Sequence, residues 1–161
     1  MKRCLQFLLV LILVSLIMGC SKRDKHMIVG KEISLDDITE FYFTYASSTY
    51  PPDYQRYYFY AENDKHYFYH ETREGDAFPL TEEYITVSGT KELSEDEWNT
   101  FFDFLKDGIV KRRQESDESG DSGPWMYLYW KNDKSEYQEF TFRDWDTQAL
   151  FEDYCVNLKQ E

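Results

Sequence analysis

Only three cysteines, three histidines, seven glycines and four prolines occur in this chain of 161 residues, and each scarcity removes a class of protein. Cys4 and Cys20 belong to an apolar N-terminal segment, so Cys155 stands alone in the rest of the chain and no disulfide framework can form there. Because Cys155 falls on the apolar stripe of a predicted helix, it is expected to pack as a small buried hydrophobe. Among the histidines, His26 sits in a polar stretch, while His66 and His70 lie four residues apart on a predicted strand. That spacing separates them by roughly 13 Å along one face, too far to share an ion at bond lengths of about 2 Å, so they read as solvated strand residues. Neither a metal nor a cofactor is expected. The chain has no Gly-x-Ser-x-Gly elbow, no glycine-rich phosphate loop before a helix and no cysteine with a persuasive histidine partner, so no reaction is spelled out.

Basic residues are also short, 18 Lys and Arg against 31 Asp and Glu, for a formal net charge of −13. Without a cationic patch the main non-specific contribution to nucleic-acid binding is missing, and anionic lipid headgroups repel the folded domain. Long hydrophobic runs are absent as well. The longest, Leu5 to Met18, would span about 21 Å as a helix, short of the ~30 Å hydrocarbon layer.

That run is informative for what surrounds it. Lys2 and Arg3 precede it as a positive n-region, and Ile17-Met18-Gly19-Cys20 closes it. The closing residues resemble the lipobox of bacterial lipoproteins, in which aliphatic and small residues precede an acylated cysteine. Ile17 and Gly19 fit that pattern, and Met18 is bulkier than the usual occupant. The resemblance implies that residues 1–19 are a signal peptide, that Cys20 carries lipid, and that the domain is anchored to a membrane of the bacterial cell envelope, outside the cytoplasm. Each buried CH₂ contributes about 0.8 kcal/mol, so two or three acyl chains give stable attachment. Residues 20–34 then read as the lipidated cysteine and a flexible tether. Its polar part, Ser21 to Glu32, could reach up to ~40 Å. Residues 35–161 read as a single domain.

Within that domain, Ile38 to Tyr45 and Tyr54 to Ala61 are aromatic-rich strands separated by Pro51-Pro52. Asn63-Asp64 forms a two-residue hairpin loop that pairs Glu62 with Lys65, Tyr60 with Tyr67, Phe59 with Phe68, Tyr58 with Tyr69 and Arg56 with Glu71. Thr81 to Thr90 supplies another strand. Ser94 to Glu97 has the form of a capping box, and Trp98, Phe101, Phe102 and Leu105 recur at helical spacing until Gly108. Lys111 to Pro124 reads as a charged, mobile loop, and its Glu115, Asp117, Glu118 and Asp121 as solvated charge without EF-hand spacing. Trp125 to Trp130 and Glu136 to Phe142 form a second hairpin around Asn132-Asp133-Lys134. A three-residue loop keeps Met126, Leu128, Trp130, Phe140 and Phe142 on one face. A last helix starts near Asp146, with Leu150, Phe151, Tyr154, Cys155 and Leu158 on its stripe. The expected fold is α+β, an antiparallel sheet of five to six strands built from hairpins with two helices on one face. From about residue 36 to 158 this order, with its Leu-Ser-Glu-Asp-Glu-Trp helix start, is similar to that of small bacterial lipoproteins of unknown function. The similarity brings no active site with it.

The chemistry lies in the tyrosines, 14 in all. If Phe41, Phe43, Phe59, Phe68, Leu128, Trp130 and Phe140 face the helices, alternation sends Tyr42, Tyr58, Tyr60, Tyr67, Tyr69, Tyr127, Tyr129 and Tyr137 to the opposite face. A rigid ring with a hydrogen-bonding tip suits recognition of a protein, peptide or glycan partner. Tyr58, Tyr60, Tyr67, Tyr69, Tyr127 and Tyr129 are therefore the candidate contact residues of a non-catalytic binding module. The same pairs could also serve only to stabilise a solvated sheet. A hydrolase acting on cell-wall or polysaccharide material is the alternative, and it would need a histidine or an acidic pair gathered in a cleft.

Overall fold

The computed structural model describes residues 26–48, 50–112, 123–131 and 138–160. It is α+β: one antiparallel sheet and two helices. The strands are β1 (Met27–Ile28), β2 (Ile38–Ser47), β3 (Asp53–Glu62), β4 (Lys65–Glu74), β5 (Ile85–Leu93), β6 (Ile109–Arg112), β7 (Trp125–Trp130) and β8 (Gln138–Thr141), with α1 (Glu95–Leu105) between β5 and β6 and α2 (Trp145–Gln160) after β8. Their order across the sheet is β1-β6-β8-β7-β2-β3-β4-β5. Eight strands replace the five to six expected, because β1 and β6 join the sheet as well.

Local chemistry accounts for the central hairpin. Asn63 and Asp64 both take positive φ, 53° and 59°, the left-handed pair that a tight hairpin turn requires and that these two residue types tolerate. The pairing that follows is the expected one, from Glu62↔Lys65 through Phe59↔Phe68 to Arg56↔Glu71. In the second hairpin Tyr127 pairs with Glu139, the register of an odd-length connection. Its Asn132-Asp133-Lys134 tip lies outside the described residues. The strand expected over Thr81 to Thr90 instead begins at Ile85, after a 3-10 turn at Glu82–Tyr84, and runs to Leu93.

Helix α1 begins on a complete capping box. The Ser94 hydroxyl accepts from the Glu97 N–H at 3.3 Å while the Ser94 N–H donates to the Glu97 carboxylate at 2.7 Å. Ser94→Ala should lower stability by about 1 kcal/mol, measurable as a shift in urea midpoint at constant slope. Past the helix, Asp107 takes the left-handed turn at φ 61°, and Gly108 is needed for a different reason. A Cβ there would lie 2.5 Å from the Phe140 ring.

The core fills the space between one sheet face and the two helices. Phe41, Phe59, Phe68, Phe101, Phe140 and Phe151 are its largest fully buried side chains, and Phe59 stacks on Phe101 at 4.2 Å between centroids. On α2 the buried positions are Thr147, Phe151, Cys155 and Leu158, at helical spacing. Leu150, expected on that stripe, is instead 60% exposed, because it sits about 100° around the helix from Phe151.

Two further expectations are corrected. The tether does not extend to residue 34: Met27 and Ile28 pair with Val110 and Ile109, and Val29 and Ile33 are fully buried. The loop expected from Lys111 to Pro124 does not begin at Lys111, since Lys111 and Arg112 continue strand β6 and pair with Glu139 and Gln138. Glu115, Asp117, Glu118 and Asp121 lie outside the described residues. Among the described residues no helix is long and apolar enough to cross a membrane.

Candidate functional site

Strand alternation builds the site. With Phe41, Phe43, Phe59 and Phe68 turned to the helices, β2, β3 and β4 present Tyr42, Tyr58, Tyr60, Tyr67 and Tyr69 on the other face, in the register Tyr42↔Tyr58↔Tyr69 and Tyr60↔Tyr67. The rings form a ladder across three strands. Tyr42 stacks on Tyr58 at 4.3 Å, Tyr58 on Tyr60 at 4.7 Å and Tyr60 on Tyr67 at 5.1 Å. Such pairs add about 0.5–1.5 kcal/mol each beyond area burial, so the ladder is a rigid surface.

Beside the ladder lies a cleft of about 340 Å³ lined by Tyr42, Tyr58, Tyr60 and Tyr69 together with Arg56, Glu71 and Glu82. Glu71 is almost fully buried at 4% exposure, and its neighbour Arg73 is at 7%. One Glu71 oxygen accepts two bonds from Arg73, and the other accepts the Tyr69 hydroxyl at 2.6 Å. Arg73 also donates to the Leu80 carbonyl at 2.8 Å and lies over the Tyr54 ring at 4.1 Å. Arg56 stands 3.7 Å from the same Glu71 oxygen, with about a third of its side chain exposed. Its Nε is buried and, among the described residues, has no hydrogen-bond partner.

Electrostatics fixes the protonation of this face. Burial would raise the Glu71 carboxyl, but the bonds from Tyr69 and Arg73 and the charges of Arg56 and Arg73 outweigh it and hold the group below its usual value of 4.5. Burial, then hydrogen bonding to Glu71, pushes the Tyr69 hydroxyl up to about 12. Burial is also the main cause that takes Tyr58 to about 12 and raises Tyr42, whose hydroxyl donates to Glu40 at 2.7 Å. At neutral pH these hydroxyls stay protonated and act as donors.

Not every candidate tyrosine reaches the cleft. Tyr58, Tyr60 and Tyr69 line it, while Tyr67 extends the ladder behind Tyr60. Tyr127 pairs with Tyr42 across β7 without lining the cleft. Tyr129 does not line the cleft: it is 5% exposed and set edge-on to Tyr42 at 6.0 Å. A bulge between Ile38 and Glu40 offsets β2 against β7 at this point. Cys20 and Tyr137 lie outside the described residues. Arg56, Glu71 and Glu82 went unassigned as site residues, although the alternation that sorts the tyrosines also puts Arg56 and Glu71 on their face.

The histidines are on the other side. His66 stacks on Trp98 of α1 at 4.2 Å, and His70 packs close over Gly89, with its Nδ1 buried and, among the described residues, without a hydrogen-bond partner. Burial lowers the pKa of both. Among the described residues, no group of three or more His, Cys, Asp or Glu side chains converges as a metal site. Cys155 is fully buried, and desolvation raises its thiol well above the usual range.

Fold and site together define an α+β domain with a helix-covered phenylalanine face and an opposite tyrosine face carrying a charged cleft. Comparison with protein-family models, curated proteins and solved structures finds no match to the chain.

Proposed function

We propose that this chain is a bacterial envelope lipoprotein, held to a membrane through lipid on Cys20, whose domain is a non-catalytic binding module that uses its tyrosine face. The observation that carries the reading is the cleft bounded by Tyr58, Tyr60 and Tyr69, where aromatic surface and fixed hydrogen-bonding groups meet. Ordered structure from Met27 supports a close attachment, since the residues between Cys20 and Met27 can span at most about 25 Å. The hydrolase alternative gains no support from the cleft. Both described strand histidines point to the helix side. Of the two carboxylates that line the cleft, Glu71 and Glu82, Glu71 is locked by Arg73 and Tyr69 rather than poised to exchange a proton, so the two do not make a working acid–base pair.

Chemical crosslinking in the native cells, followed by capture through a tag after Glu161, tests this reading. The wild type is expected to retain a specific protein or glycan partner, and the combined Tyr58→Thr, Tyr60→Thr, Tyr69→Thr variant to lose it while keeping its circular dichroism and cooperative melting. A partner held equally by the folded variant would overturn the role of the face, as would no partner in either form. Intact mass decides the anchor. The processed chain should begin at Cys20 with a diacylglyceryl addition, and an unmodified cysteine would refute lipidation.

A further inference from the structure

Resting on the reading of the tyrosine face as a binding surface, we infer that the cleft around Arg56 and Tyr69 takes a short stretch of neutral glycan. Three features of the cleft select this ligand class.

The first is the state of Arg56. Its guanidinium stands near Glu71 but is not satisfied in hydrogen bonding, because the nearest Glu71 oxygen is 3.7 Å away and already accepts two bonds from Arg73, which takes Glu71 as its counter-charge. Among the described residues its buried Nε has no hydrogen-bond partner either. A planar, multi-donor group left one-third exposed in a concavity calls for a ligand rich in oxygen acceptors.

The second is the sign of the surroundings. Glu71 and Glu82 line the same cleft, and the chain carries a net charge of −13. Glu71 is buried and its oxygens are held by Arg73 and Tyr69, so the acceptor the cleft offers a ligand is Glu82. Sugar hydroxyls can accept from Arg56 and donate to Glu82, whereas a phosphate or carboxylate would meet the charge of Glu82 and of the chain as a whole.

The third is the aromatic wall. Tyr42, Tyr58, Tyr60 and Tyr67 spend their ring faces on one another, but among the described residues Tyr69 makes no ring–ring contact, and its hydroxyl is pinned to Glu71 at 2.6 Å. A fixed ring beside paired donors and acceptors suits the C–H face of a sugar whose rim hydroxyls reach the charged groups. The volume of about 340 Å³ is at the small end for ligand sites, enough for a short glycan segment.

The test is an array of immobilised neutral, N-acetylated and uronic-acid oligosaccharides probed with the purified full chain, followed by calorimetry on the strongest neutral ligand. Binding to a neutral or N-acetylated oligosaccharide is expected. Arg56→Gln and Tyr69→Thr should each weaken it at least tenfold, and Tyr50→Thr, at an 83% exposed position that does not line the cleft, should leave it unchanged. If Arg56→Gln fails to melt cooperatively, Tyr69→Phe replaces it. That variant keeps the ring but frees Glu71 and should lose at least threefold.

Binding confined to uronic acids, binding unchanged in the cleft variants, or no binding on the array would each overturn the glycan inference. The broader reading fails separately. A cellular partner lost with the triple tyrosine variant while no sugar binds would leave an interaction module of another specificity, and absence of both would remove the two together.

Discussion

Phe41→Ala is expected to lower the stability of the domain by about 3–5 kcal/mol, the range for removing a large aromatic from a packed core. Phe41 is fully buried at the centre of the sheet and touches rings from both helices, from β3 and from β8 and the residue that follows its end. Phe140 and Phe151 meet it edge-on at 5.3 and 5.6 Å, Phe101 tilts against it at 5.7 Å, and Phe142 and Phe59 close the ring at 6.4 and 6.5 Å. Deleting the side chain leaves a cavity that five rigid neighbours, held by their own contacts, cannot easily fill. Urea unfolding measures the loss. Leu150→Ala provides the contrast, since that residue is 60% exposed and its truncation should change stability by no more than about 0.5 kcal/mol. Equal losses from the two would mean that α2 does not pack as described.

A comparable effect is expected on the tyrosine face. Glu71→Gln should destabilise the fold by about 3–5 kcal/mol, because it leaves the buried Arg73 guanidinium without its counter-charge. Combining it with Arg73→Met should recover part of that loss, since removing both charges spares their desolvation. The same ion pair dictates a pH dependence. The Glu71 carboxyl titrates lower in the folded chain than its ordinary value of 4.5, so its contribution is fully present above that pH and is lost as pH falls through the depressed folded value. Wild-type stability should therefore decline on acidification below about pH 4.5 more steeply than that of Glu71→Gln. Parallel pH profiles would show that Glu71 is not the group responsible.

Much of this fold was legible in the chain, and the reasons are local. Asn63-Asp64 supplies the left-handed turn and Ser94 with Glu97 the helix start, and both act through neighbours within a few residues. Alternation over ten-residue strands was long enough to separate phenylalanines from tyrosines. Strands β1 and β6 are not legible because two and four residues cannot establish a period, and the polar character of Lys111 and Arg112 hides a strand that only pairing with β8 and β1 reveals. For Leu150 the difficulty was angular: two adjacent apolar residues, Leu150 and Phe151, cannot both centre a helical stripe, and α1 and the sheet select Phe151.

The candidate site was legible as a face but not as a cleft. Tyr58, Tyr60 and Tyr69 followed from alternation alone. Alternation puts Tyr129 on the tyrosine face, but that Tyr42 would pack edge-on against it and it would end 5% exposed depends on cross-strand packing that the pattern does not show. The meaning of Arg56 depended on which guanidinium Glu71 chose. Pairing across the hairpin favours Arg56, yet the shorter contacts go to Arg73 on the same strand, and this leaves Arg56 with donors to spare.

Photo-crosslinking in the native cells tests the central claim most directly, with a benzophenone amino acid placed singly at position 60, at position 69, and at position 150 on the helix side. The account predicts a specific covalent adduct from positions 60 and 69 and none from 150. Adducts arising only from position 150, or none from the two tyrosine positions in a chain shown to be folded, would contradict the assignment of the tyrosine face as the binding surface.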